Sequence, residues 1–194
     1  MDQNQTDNSE PISTEGKKQL CYEVIKETYD FTLARMDGWD TKANNLCIIA
    51  GVLIGLYLGF GKGILDSIDK TKVISVNLYF FDGVKYYNLM LYILLIGLAL
   101  LLASIGLALF GYRGYPVQAA PDSTYFYEHY ATNEVCTKSN ILDVLSTVLV
   151  ETNKTNTRSA ADKGYIITWS LIMLLAGSVV FVIFVFFALI STRT

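Results

Sequence analysis

The sequence is poor in the groups that do chemistry. Among its 194 residues stand a single histidine, His129, and three cysteines, Cys21, Cys47 and Cys136, with no CxxC pair, so the ligand spacing of a zinc site is missing. An odd, scattered set of cysteines argues against a disulfide framework and fits a reducing compartment. Glu128 precedes His129, but no nucleophile or metal-ligand spacing accompanies them, so no enzyme is expected and no cofactor or metal is implied. The net charge is only −3, without the basic stripe that a nucleic-acid polymer requires. Residues 1–19 are polar and hold no secretory signal, and no repeat of solenoid type occurs.

What the chain does have is apolar length. Apolar residues make up 52% of it and gather in three blocks, Leu46 to Phe60, Leu89 to Tyr112 and Tyr165 to Ile190. The last two are free of charge and long enough to cross about 30 Å of hydrocarbon as helices. The first is short, but Lys62 can snorkel outward and Ile64 and Leu65 follow, so a full crossing extends to residue 65. The expected fold is an all-α integral membrane protein with three transmembrane helices, two of them extended as amphipathic helices on the cytoplasmic side.

The segments follow from composition. Residues 1–19 are expected to be a disordered tail. Tyr22, Ile25, Tyr29, Leu33, Met36, Ala43, Cys47 and Ala50 recur at helical steps, which predicts a cytoplasmic helix over 20–45 running into a first span at 46–65. Gly38 is its weak point, because glycine costs on the order of 1 kcal/mol in a helix interior and permits a hinge. Residues 66–88 read as an external loop or hairpin, from the β-like run Val73 to Phe81 and the turn signal Asp82-Gly83. A second span is expected at 89–112. The connection 113–164 turns at Pro116 and Pro121, carries aromatics at Tyr125, Phe126, Tyr127 and Tyr130 that suit an interfacial belt, and regains helix over 140–163, where Ile141, Leu142, Leu145, Val148 and Leu149 form an apolar face. A third span takes 165–190. Ten Lys and Arg fall on the side of the N-terminus and five on the other, which predicts an inner-membrane protein with its N-terminus cytoplasmic and its C-terminus external.

Two constellations stand out. Gly51, Gly55, Gly59 and Gly63 repeat every four residues and leave one face of the first span nearly bare, suited either to packing against Ala99 and Ala103 of the second or to a subunit contact in a homo-oligomer. The stretch Asp40-Thr41-Lys42-Ala43-Asn44-Asn45 stands where the first apolar block begins, and Asn153, Asn156, Arg158 and Lys163 stand similarly below the third. If the two helices rise together, Asp40, Lys42, Asn44, Asn45, Asn153, Asn156, Arg158 and Lys163 form a candidate ligand site, with cations for phosphate and amides for the edge of a base. Ordinary snorkelling at a lipid surface explains the same residues without a ligand.

Asp40, Lys42, Ala43 and Leu46 in a D-x-K-A-x-x-L element, Arg113 and Pro116 after the second span, and Asn153, Asn156 and Lys163 before the third resemble the Pycsar effector transmembrane family and, more distantly, SLATT-type effectors. The resemblance implies an antiphage membrane effector that answers a cyclic nucleotide, of cyclic pyrimidine monophosphate type, by impairing the inner membrane. The rival expectation is a non-catalytic membrane scaffold that recruits a partner through the apolar face at 141–150.

Overall fold

A computed structural model describes residues 13–67, 86–115, 117–118 and 137–191, and all regular structure among them is helical. Three helices follow one another: α1 (Thr14–Ser67), α2 (Tyr86–Arg113) and α3 (Lys138–Ser191). Each contains a segment long and apolar enough to cross a membrane. The 28 residues of α2 alone extend about 42 Å, more than a hydrocarbon core requires. The hairpin expected between α1 and α2 and the aromatic cluster around Tyr125 to Tyr130 lie outside the described residues.

The helix ends are chemically marked. Ser13 caps α1, its hydroxyl accepting the Gly16 N–H at 3.1 Å, with Glu15 in the first turn beside the positive end of the helix dipole. The helix therefore begins at Thr14, within the stretch expected to be disordered. Thr137 serves α3 in the same way, its hydroxyl accepting the Asn140 N–H at 3.4 Å. At the far end of α2 the Gly114 N–H donates to the Phe110 carbonyl at 2.7 Å. Gly38 does not interrupt α1: the helix passes through it. Its neighbours explain why, since Met36 is fully buried and Trp39 is partly buried against the apolar core, and such packing outweighs a penalty on the order of 1 kcal/mol.

The chain divides into two compact units. The first joins Met1–Arg35 with Val117–Ser159. In it α1 and α3 run parallel, tied by ion pairs Lys18–Asp143 and Lys138–Glu15 and by a hydrogen bond from the Thr32 hydroxyl to Asn153 Oδ1 at 2.8 Å. Leu142 and Leu149 of the expected apolar face are buried, and Ile141, Leu145 and Val148 are half-buried.

The second unit joins Met36–Pro116 with Ala160–Thr194. Here the α1 and α3 segments are again parallel and α2 runs against them. Its core holds Ala43, Leu46, Ala50, Tyr57, Leu101, Ala108, Ile167 and Leu174. A second cluster of Leu65, Met90, Phe184 and Ala188 lies farther along the helices. Lipid supplies no hydrophobic force between apolar helices, so close approach and buried hydrogen bonds decide their register. Both are present. The Tyr57 hydroxyl donates to the Gly177 carbonyl at 2.8 Å, a geometry open only because Gly97 has no Cβ to collide with that hydroxyl. Ser104 and Ser170 each donate to the other's carbonyl at 2.8 Å.

Gly51, Gly55 and Gly59 face open space rather than this packing. A Cβ added at Gly51, Gly55, Gly59 or Gly63 meets nothing within 4 Å, and Ala99 and Ala103 are exposed. The helices approach instead through glycines outside that repeat.

Candidate functional site

At the start of its apolar run α1 presents Trp39 to Asn45, and the helical period of 3.6 residues sorts these side chains onto two flanks. Trp39, Lys42, Asn45, Leu46 and Ile49 line one cavity, of about 410 Å³, with Ile167, Thr168 and Leu171 of α3 as the opposite wall. Asp40, Thr41, Ala43, Asn44 and Cys47 line another, of about 510 Å³, against Ala108, Leu109 and Tyr112 of α2. Adjacent residues thus serve different spaces, Asn44 one and Asn45 the other.

The charges are equally divided. Lys163 is 1% exposed, and its ammonium meets Asp40 Oδ1 at 2.5 Å. The contact is an ion pair without hydrogen-bond alignment, since Asp40 Oδ1 has no hydrogen-bond partner. Burying an ammonium is costly unless a counter-charge meets it, so the two positions depend on one another. Next to this pair Trp39 lies against Gly164, where any Cβ would strike the indole ring. The indole Nε1 is buried there without a hydrogen-bond partner. Lys42 lies on the same side as Trp39, its ammonium 4.2 Å from the ring centroid, and it makes no ion pair with a carboxylate among the described residues.

The eight polar residues expected to form one site therefore have distinct surroundings. Asp40, Lys42, Asn44, Asn45 and Lys163 belong to the second unit, where Asp40 and Lys163 form an ion pair. Asn153, Asn156 and Arg158 belong to the first. There Asn156 is fully buried, its Oδ1 accepting the Gln118 N–H at 2.9 Å and its Nδ2 donating to the Gln118 carbonyl at 3.0 Å. The Tyr29 hydroxyl donates to that same carbonyl at 3.3 Å. Asn153 accepts from Thr32, and Arg158 is exposed. Sequence reasoning passed over Trp39, Gln118 and Thr168. Trp39 alone carried a signal, an aromatic one helical turn before Lys42.

Three helices long and apolar enough to cross a membrane, with mainly apolar grooves edged by polar side chains where the apolar run of α1 begins, define a small helical membrane protein. The chain belongs to the PycTM family, the Pycsar effector protein domain, whose match covers residues 25–190. Neither the curated proteins nor the solved structures gave a match.

Proposed function

We propose that this protein is an antiphage effector that binds a cyclic nucleotide and then, without catalysis of its own, impairs the inner membrane. The observation that carries the reading is the family match over residues 25–190. Three helices of sufficient length and apolarity supply the means of insertion, and the Lys and Arg count supports a cytoplasmic N-terminus. Gly51, Gly55 and Gly59 support assembly of several copies, because they form an open face of low relief where two helix backbones can meet closely.

The ligand acts on the first unit. Asn156 offers an acceptor and a donor side by side, here met by the backbone of Gln118, and the edge of a nucleobase satisfies the same pair. Arg158 supplies a nearby cation in sequence for phosphate. Asp40 and Lys163 are withdrawn from the proposed ligand set because they neutralise one another. The scaffold alternative loses support, since Leu142 and Leu149 are buried inside their own unit rather than presented to a partner.

The test is to induce the protein in cells carrying a voltage-sensitive dye and supply a panel of purine and pyrimidine cyclic nucleotides. Depolarisation with at least one of them, lost in Asn156→Ala, is expected. Unchanged membrane potential across the whole panel overturns the proposal.

A further inference from the structure

We propose that the groove between Trp39 and Leu171 seats an anionic phospholipid, with its phosphate on Lys42 and the start of an acyl chain along Leu46, Ile49, Ile167 and Leu171. The inference rests on the reading that α1 and α3 insert in a bilayer, and it adds a lipid site that this reading does not require. Polarity changes along the groove. Trp39, Lys42 and Asn45 form one end and apolar side chains the other, and the apolar runs of both helices begin within it. An occupant must therefore be anionic at one end and apolar at the other. A volume of about 410 Å³ suits a headgroup with its first methylenes, leaving the rest of the chains in the bilayer.

The charge arrangement selects the sign. Of the two lysines near this level of the second unit, Lys163 is neutralised by Asp40, whereas Lys42 is left uncompensated beside the groove. The Trp39 ring, 4.2 Å beneath its ammonium, restrains that side chain before any ligand arrives, which reduces the entropy lost on binding. Asn45 adds amide donors on the same flank. The cavity on the opposite flank of α1 is lined by no lysine or arginine, and its Asp40 carboxylate is already paired with Lys163, so it offers an anionic headgroup no counter-charge.

The full chain is reconstituted in nanodiscs of equal parts phosphatidylglycerol and phosphatidylcholine, released in mild detergent, and its retained lipids are counted by native mass spectrometry. Wild type is expected to retain phosphatidylglycerol in preference, Lys42→Gln to lose that preference by about tenfold, the equivalent of about 1.4 kcal/mol, and Lys42→Arg to keep it. Lys62→Gln removes an exposed cation elsewhere on α1 and is expected to have no effect. Glycerol phosphate added in solution is expected not to displace the lipid. Retention in Lys42→Gln equal to wild type, an equal loss in Lys62→Gln, or displacement by glycerol phosphate overturns the proposal. Failure of the insertion reading shows itself separately, as protein released from membranes by alkaline carbonate without detergent.

Discussion

Asp40→Asn tests whether the ion pair with Lys163 governs the second unit. At 2.5 Å two unit charges attract by about 7 kcal/mol at an effective dielectric constant near 20, and the desolvation of both groups offsets most of this. The cost of breaking the pair depends on which charge is left behind. Asp40→Asn strands an ammonium whose side chain is 2% exposed, where removal of one partner typically costs about 3–5 kcal/mol. The Asp40 side chain is 29% exposed, although the oxygen that meets the ammonium is buried, so the lower end, about 3 kcal/mol, is expected. For a chain of this size that lowers the melting temperature by roughly 6–12 °C. Lys163→Met leaves a carboxylate that water can reach, and should cost only about 1–2 kcal/mol. In the double variant Asp40→Asn adds little, because no buried cation remains to be stranded. The assay is thermal unfolding of detergent-solubilised protein followed by size-exclusion chromatography. Equal losses in the two single variants, or strict additivity in the double variant, would refute the reasoning.

Other perturbations probe different contacts. Gly97→Val drives a side chain into the Tyr57 hydroxyl and should break its bond to the Gly177 carbonyl, lowering the melting temperature more than Tyr57→Phe, whose loss is about 1 kcal/mol. Ser104→Ala removes one of two reciprocal bonds to Ser170 and should also cost about 1 kcal/mol in the same assay. Asn156→Leu leaves the N–H and carbonyl of Gln118 without their amide partner, at about 2 kcal/mol, which faster hydrogen exchange at the Gln118 amide will report. Gly55→Leu projects into open space and should leave thermal stability unchanged while abolishing cross-linked oligomers and toxicity; persistence of both would refute the assembly role of that face.

The sequence by itself determined the class of fold. Length and apolarity are local properties, and a charge-free run such as Leu89 to Tyr112 has few alternatives to a long helix in a setting without water. The stripe from Tyr22 to Ala50 was legible for the same reason: helical phase converts spacing into a shared face, and each of its eight residues is buried or half-buried. The D-x-K-A-x-x-L and N-x-x-N elements pointed to the family that the match confirms. What only tertiary structure decided is which neighbour each polar residue meets. Lys163 was legible as a cation, but its neutralisation by Asp40 depends on a partner more than a hundred positions away, at a distance set by how two parallel helices lie together. The regular spacing of Gly51 to Gly63 suited either packing within the chain or contact between copies, whereas within the chain the helices approach through Gly61, Gly97, Gly164 and Gly177, which no sequence period connects. Spacing along one helix fixes a direction around its axis, and only the position of a second helix determines whether anything stands in that direction.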